Sequence, residues 1–206
     1  MQDKKETDKV LAVPDATTGS ITGRKSTEPV IDRAVIEDDE AFSCMVQATS
    51  PRIYRFLCRM TGSAEDALDL TQEVFLAAHN SRSRFRIGAP ALPYLMTIAR
   101  RKAVSLLRWR AVRRIVLPLS ELHHEIAGDE TQLPPDKVEE QWQLNAIQSA
   151  LAKLRPVERA AVVLRLFEER SYDEIAQVMG KPLGTVRSLV FRAERKLREH
   201  LKSIQE

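Results

Sequence analysis

The chain has 206 residues, and its 32 lysines and arginines exceed its 29 aspartates and glutamates to give a net charge of +3. Hydrophobic residues make up 43% of the sequence, which is enough for one large core or two small ones and excludes a fully disordered chain. Aromatic residues make up only 5%, whereas stretches with helical periodicity are long and numerous, so we predict an all-α protein.

Residues 1–34 are polar and interrupted by prolines and glycines, so they cannot bury enough apolar surface to offset the entropy of ordering. We predict a disordered N-terminal tail, and it lacks the apolar segment of a signal peptide. Apolar runs are too short to cross a bilayer, and Cys44 and Cys58 are too far apart for a C-x-x-C motif. We therefore expect buried, reduced thiols in a cytoplasmic protein with no membrane span, metal or cofactor.

The first predicted domain spans residues 35–114 and contains four helices. Apolar residues recur at helical spacing from near Asp38, from Pro51, from near Ala64 and from near Leu92. We expect Pro51 to begin a helix of its own, because its ring fixes φ at a helical value. Each helix has one apolar face, so we predict that the four pack into one compact domain.

The charge changes sign in the middle of the chain. Basic residues cluster from Arg100 to Arg114 without one acid, and acids dominate from Leu117 to Glu140. We predict that residues 115–135 form a flexible acidic linker. Its acids include Glu121, Glu125, Asp129 and Glu130. A basic stretch on either side of an acidic linker favours two separate contacts with nucleic acid.

The second predicted domain spans residues 136–206. Its helices are predicted at 136–154, 156–168, 171–179 and 183–204. Gly180 and Pro182 lie between the last two helices, where a left-handed glycine ends one helix and a proline starts the next. The final helix is apolar on one face and rich in arginine on the other. This pattern predicts a helix-turn-helix whose second helix enters the major groove, with a solvated surface helix pair as the alternative.

Four segments carry a resemblance to a known family. They are DALDLTQEVFLAAH (66–79), PYLMTIARRKAVSLLRWR (93–110), LAKLRPVERAAVVLRLFEERSYDEIAQVMG (151–180) and PLGTVRSLVFRAERKLREHL (182–201). Together they resemble the bacterial RNA polymerase sigma factors of the extracytoplasmic-function (ECF) group. The resemblance implies that the first domain is sigma region 2 and the second is sigma region 4. It also implies an alternative sigma factor that directs promoter-specific transcription initiation from −10 and −35 elements.

The resemblance assigns the helix at 64–80 to binding of core RNA polymerase. In the family, the matching segment docks on the clamp helices of the β′ subunit, and a contact with the β subunit is also implied. The residues implied in polymerase binding are Leu68, Asp69, Gln72, Glu73 and Phe75. Without the resemblance, the polar residues among them would be interpreted as ordinary solvent-exposed surface.

The resemblance assigns the basic fourth helix and the loop before it to binding of the −10 element. Binding of single-stranded DNA requires cations for the backbone and flat side chains for unstacked bases. The candidates are Phe85, Tyr94, Arg100, Arg101, Lys102, Arg108, Trp109 and Arg110. Tyr94 and Trp109 are alternatively part of the core. Arg101 and Ser105 stand where the family commonly has asparagine and aspartate, which leaves the −10 sequence open.

The resemblance assigns the last helix to binding of the −35 element. The residues are Thr185, Arg187, Ser188, Phe191, Arg192, Arg195 and Lys196. Thr185 lies near the helix start, where a hydroxyl and free backbone N–H groups can meet a phosphate. Arg187 and Arg192 are suited to bidentate pairing with guanine. Arg195 and Lys196 lie farther along and are expected to contact phosphates or solvent.

No sensor domain is visible in the sequence, so we expect control by a partner, an anti-sigma protein that covers both domains. No nucleophile with a base, carboxylate pair or glycine-rich phosphate loop is visible either, so we predict no enzymatic activity and no catalytic residues. Two alternatives stay open. One is a free-standing helix-turn-helix transcriptional regulator that binds operator DNA as a dimer, and the other is an enzyme with an incidental basic helix.

Overall fold

The computed structural model of the chain describes residues 29–116 and 135–205. Its helices are α1 (Arg33–Glu37), α2 (Asp39–Thr61), α3 (Ala64–Asn80), α4 (Ala91–Val116), α5 (Pro135–Ala152), α6 (Pro156–Leu166), α7 (Tyr172–Met179) and α8 (Leu183–Gln205). A 3₁₀ turn at Arg82–Arg84 connects α3 to the loop before α4. Apart from one isolated bridge, the described ranges contain no β-strand, and the all-α prediction is confirmed. The predicted acidic linker lies outside the described residues, apart from its ends.

The folded part of the chain begins earlier than the predicted end of the tail at residue 34. Val30 forms an antiparallel bridge with Pro90, and the backbone N–H of Ile31 donates to the carbonyl of Ala89 at 2.9 Å. The Ile31 side chain is buried, and Asp32 caps α1. This short apolar segment is held by the loop before α4, a non-local contact that composition does not reveal. The rest of the predicted tail lies outside the described residues.

The prediction that Pro51 begins a separate helix is wrong, because α2 continues through it. A proline inside a helix removes one backbone donor and crowds the preceding turn. Here the residues on both sides of Pro51 share one buried face, which favours a continuous helix. That face comprises Phe42, Met45, Thr49, Ile53, Phe56, Leu57 and Met60. Cys44 lies off this face and is exposed, and Cys58 is half-buried, so the expectation of two buried thiols is also wrong.

The first domain is closed by α3 and α4 packing on α2. Ser63 caps α3 by accepting a hydrogen bond from the backbone N–H of Asp66. The turn before it uses Gly62 at a φ of 76°, a left-handed conformation that a side chain would strain. Buried residues from α3 and α4 fill the core between the helices. They include Leu70, Val74, Leu95, Met96, Ala99 and Ala103.

The second domain contains the predicted helix-turn-helix. Ser171 and Glu174 form a reciprocal capping box at the start of α7, each side chain bonding the backbone N–H of the other. Gly180 ends α7 at a φ of 60°, and its N–H donates to the carbonyls of both Ala176 and Gln177. The buried face of α8 then packs on α6 and α7. It comprises Val186, Leu189, Val190, Ala193, Leu197 and Leu201.

The two domains pack against each other. Helix α6 of the second domain contacts α2 and α4 of the first, α7 contacts α4, and α5 contacts α2. The sequence gives no indication of this packing, because it joins residues far apart along the chain, such as Arg159 and Met60.

Candidate nucleic-acid and polymerase interfaces

The solvent-facing side of α8 carries the residues expected at duplex DNA. A shallow groove is lined by Gly184, Thr185, Ser188, Phe191 and Arg192. Phe191 is 68% exposed, although its neighbours on the opposite face of α8 are buried. The first turn of α8 presents backbone N–H groups that a phosphate can accept from. The groove therefore combines donors for phosphates with an apolar side chain that can contact a thymine methyl group.

Arg187 is held by an aromatic residue that sequence reasoning missed. The ring of Tyr172, the first residue of α7, lies 5.9 Å from the Arg187 guanidinium carbon and 4.9 Å from that of Arg165. Cation–π contacts of this kind orient a guanidinium without neutralising it. The signal in the sequence was an aromatic residue directly after the Ser171 cap, and its partner could not be read from spacing.

Lys196 is tied to the fold of the second domain. Its ammonium lies 2.9 and 3.0 Å from the two carboxylate oxygens of Glu158 on α6. Burial alone would raise the pKa of Glu158, but the hydrogen bonds and charges of Lys196 and Arg155 together outweigh it, so this pKa lies below its usual value. Arg195 is exposed and 3.8 Å from Glu199. Of the two residues expected to contact phosphates, Arg195 is therefore the one that is free to reach DNA from the surface.

Fewer residues of α4 face solvent than its many charged residues suggested. Arg101, Ser105, Arg108, Trp109 and Val112 are exposed at intervals of three or four residues, so they form one stripe. Trp109 is 54% exposed, and the Arg113 guanidinium carbon lies 5.0 Å from its ring centroid. The interpretation of Trp109 as a core residue is wrong, and its ring is available to an unstacked base.

Three of the expected cations on α4 are bonded to other parts of the protein. Arg110 makes a bidentate pair with Asp66, with both N···O distances at 2.6 Å. Lys102 pairs with Glu73 at 2.6 Å. Arg100 donates to the carbonyl of Val178 on α7, and its pKa is lowered by burial and by the nearby charges of Arg101 and Arg108. These contacts fix the side chains, and among the predicted cations on α4 only Arg101 and Arg108 are exposed.

Phe85 does not present a surface to solvent, which corrects its expected role as a base platform. It is buried, and its ring packs edge-to-face on Tyr94 with centroids 4.8 Å apart. The Tyr94 hydroxyl shares a hydrogen bond with Ser81 Oγ at 2.8 Å. Tyr94 is half-buried, which agrees with the alternative interpretation that it is part of the core. Ile87, which sequence reasoning did not single out, is the large apolar residue that this loop exposes.

The outward face of α3 carries an apolar stripe. Leu68 is 54% exposed and Leu76 is 62% exposed, and Gln72 lies between them at intervals of four residues. Asp69 and Glu73 flank the stripe. Two leucines exposed on one helical face favour a docking surface with a polar rim.

Phe75 is buried in the core, so its expected role as an anchor for polymerase is corrected, and Leu76 occupies the exposed position beside it. The spacing Leu68, Gln72, Leu76 was visible in the sequence and could have identified it. Among the described residues there is no cluster of ligands suited to a metal ion, and no helix there is long and apolar enough to cross a membrane.

Comparison with known proteins identifies the family to which the chain belongs. Residues 45–113 match the sequence family "Sigma-70 region 2" and residues 144–197 match "Sigma-70, region 4". RNA polymerase sigma factor CarQ of Myxococcus xanthus is 32% identical over 166 residues, covering 81% of this chain and 92% of that protein. ECF RNA polymerase sigma factor SigE of Mycolicibacterium smegmatis is 34% identical over 159 residues, which are 76% of this chain but only 60% of SigE.

Solved structures agree with the fold. Sigma factor RpoE in complex with the anti-sigma factor NepR from Bartonella quintana superimposes with a TM-score of 0.61 at 23% identity, over 79% of this chain and 98% of that chain. CnrH in complex with the cytosolic domain of CnrY gives a TM-score of 0.60 at 20% identity, over 82% and 93%. The chain belongs to the sigma-70 family of RNA polymerase sigma factors and to its ECF group. Members of this family are transcription initiation factors and not enzymes, so the sigma-factor interpretation is confirmed over the free-standing regulator.

Proposed function

We propose that this sigma factor binds core RNA polymerase through α3 and brings it to promoters whose −10 and −35 elements its two domains recognise. The observation that carries the proposal is that the described residues form three solvent-facing surfaces of distinct character. Two of them, on α4 and α8, are basic with an exposed aromatic residue, and the third, on α3, is apolar with an acidic rim. The first two fit nucleic acid and the third fits a protein partner.

The polymerase contact is assigned to the stripe of Leu68, Gln72 and Leu76. Apolar anchors surrounded by polar residues carry most of the binding energy in such interfaces. The acids Asp69 and Glu73 at the rim favour a basic partner surface, which the clamp helices of the β′ subunit are implied to provide. Region 4 is assigned a contact with the β subunit by the same family resemblance.

The −10 contact is assigned to the exposed stripe on α4. Arg101 and Arg108 are placed to track the backbone of a melted strand, and Trp109 offers a face for stacking of an unpaired base. Lys102, Arg110 and Arg100 support this helix through their protein partners. The −35 contact is assigned to α8, where Arg187 and Arg192 read base edges and Thr185 contacts a phosphate.

Regulation by an anti-sigma protein is part of the proposal. The RpoE and CnrH structures to which this fold is similar are complexes, with the anti-sigma factor NepR and with the cytosolic domain of CnrY. A partner of this kind would act where transcription takes place, in the cytoplasm. It would compete with core polymerase for the α3 surface and with DNA for the α4 and α8 surfaces.

Run-off transcription with purified core RNA polymerase on a randomised promoter library tests the proposal. We expect the chain to select templates with two fixed elements, whose sequences are then read directly. Gel filtration of the same mixture should show a stable complex with core polymerase. Binding to duplex DNA as a homodimer, with no complex and no transcripts, would support the free-standing regulator instead.

A further inference from the structure

The two arginines expected to read bases from α8 are anchored in different ways. Arg192 Nε donates to the carbonyl oxygen of Ser188, one turn earlier on the same helix, at 3.2 Å. Arg187 is exposed and forms no hydrogen bond or ion pair with any residue in the ranges 29–116 and 135–205. Its contact is with the ring of Tyr172, whose centroid lies 5.9 Å from the guanidinium carbon. The ring therefore restricts the direction of Arg187 and leaves its N–H donors free for a base.

A second arginine holds the same ring. The guanidinium carbon of Arg165, on α6, lies 4.9 Å from the ring centroid of Tyr172, and its Nη1 donates to the carbonyl oxygen of Arg170 at 3.1 Å. Burial raises the pKa of the half-buried Glu194 on α8, and the nearby charges of Arg165 and Arg198 oppose this rise. Arg165 is therefore close both to the Tyr172 ring and to an acid on the helix that carries Arg187, and it links α6, α7 and α8.

The backbone that carries Tyr172 is fixed on both sides. Tyr172 is the first residue of α7, directly after the Ser171 cap of the Ser171–Glu174 capping box. The preceding residue, Arg170, is buried, and its backbone N–H donates to the carbonyl oxygen of Leu164 at 3.0 Å. Its side chain pairs with Glu174 at 2.8 Å. The ring therefore stands on a turn that resists displacement, as a support for a binding residue must.

We propose that Tyr172 is a positioning residue for recognition of the −35 element, and that it holds Arg187 in the orientation that pairs with one base. This inference rests on the proposed function, because it takes Arg187 as a reader of duplex DNA. A guanidinium that is oriented before binding loses less freedom when it binds. The gain applies to the base that matches the held orientation, so Tyr172 acts on the choice of base at one position.

The proposal is tested with the full-length chain bound to core RNA polymerase, on duplex promoters randomised across the upstream element. The position that Arg187 reads is the one at which Arg187→Ala relaxes the base preference. Tyr172→Leu removes the ring and keeps an apolar side chain, so we expect the preference at that position to fall about two- to fivefold, the value of an exposed cation–π contact. Preferences at the other positions should stay as in the wild type.

Two further variants separate the ring from the hydroxyl and from the loss of any aromatic residue. Tyr172→Phe keeps the ring, and we expect it to keep the wild-type preference. Phe167→Leu is the matched control, because it removes a ring that lies 4.7 Å from the guanidinium carbon of a different arginine, Arg59. It should leave every preference unchanged. A loss in Tyr172→Phe as large as that in Tyr172→Leu, uniform across sequences and with a smaller salt dependence, would place the hydroxyl at a phosphate and overturn the proposal.

A double-mutant cycle distinguishes positioning from damage to the fold. In the Arg187→Ala background we expect Tyr172→Leu to cause no further loss of duplex affinity, because the ring acts through Arg187. A full additional loss in that background would show that Tyr172 serves only the fold, and would overturn the proposal.

The outcomes also separate this inference from the proposed function. A wild-type holoenzyme that selects no upstream element refutes the proposed function. A wild-type preference that Arg187→Ala relaxes and Tyr172→Leu leaves intact refutes the positioning role alone. An unchanged preference in Arg187→Ala removes Arg187 from base recognition and overturns the inference with it.

Discussion

Replacing Lys196 with methionine tests whether this side chain serves the fold of region 4 or its contact with DNA. Methionine keeps the aliphatic stem and removes the ammonium that lies 2.9 and 3.0 Å from the two oxygens of Glu158. The Glu158 side chain is only 7% exposed, so the substitution leaves a desolvated carboxylate without its cation. The backbone N–H of Arg155, at 3.4 Å, is a weak substitute.

The expected loss in the free energy of unfolding lies between the values for buried and for exposed ion pairs. Removing one partner of a buried pair costs about 3–5 kcal/mol, and an exposed pair contributes about 1 kcal/mol or less. The Lys196 side chain is 35% exposed, so solvent screens the pair in part. We therefore expect Lys196→Met to lower the free energy of unfolding by about 2 kcal/mol near neutral pH.

The pH dependence of this loss has a definite sign. In the wild type the pKa of folded Glu158 lies below its usual value of 4.5, so its stabilising contribution is present above that pH and is lost as the pH falls through the folded pKa. In Lys196→Met the contribution that most strongly opposes the effect of burial is removed, so we expect the pKa of Glu158 to rise relative to the wild type. The deficit of the variant should therefore be complete near neutral pH and shrink as the carboxyl is protonated.

Urea denaturation followed by circular dichroism, at neutral and at acidic pH, measures both effects. Arg195→Met is the matched control, because Arg195 is the adjacent residue, is exposed and lies 3.8 Å from Glu199. We expect it to change the free energy of unfolding by less than about 0.5 kcal/mol. Wild-type stability of Lys196→Met near neutral pH, together with a reduced salt dependence of −35 duplex binding, would refute this reasoning and assign Lys196 to a phosphate.

Three other substitutions test the proposed surfaces. Leu76→Ala should weaken binding to core polymerase about tenfold without changing the melting temperature, and equal binding by Leu76→Ala and the exposed control Leu144→Ala would contradict the assignment of α3. Arg187→Ala should cost about 1–3 kcal/mol of −35 duplex binding and relax base choice, as measured by competition between duplexes, and an unchanged preference would argue against a base contact. Arg110→Gln leaves Asp66 without its bidentate partner and should lower the stability of the chain by about 1–2 kcal/mol in thermal unfolding, whereas a native melting temperature with weaker single-strand binding would place Arg110 at the DNA.

The helices and their turns could be predicted from the sequence, because they depend on residues close together along the chain. The Ser171 cap, Gly180 and Pro182 specify the helix-turn-helix through local hydrogen bonds and backbone conformation. Apolar periodicity likewise identified the buried face of α8. Pro51 was the exception, since the packing of residues on both sides of it overrides its local preference.

Only the tertiary structure decided which members of each candidate site face solvent. The burial of Phe85 against Tyr94 depends on how the loop before α4 packs, and the engagement of Lys196 depends on where α6 crosses α8. The ion pair between Arg52 and Glu168 joins residues 116 positions apart. Charge and periodicity report what a side chain can do, whereas burial and partners depend on the geometry by which distant helices meet, which no local pattern encodes.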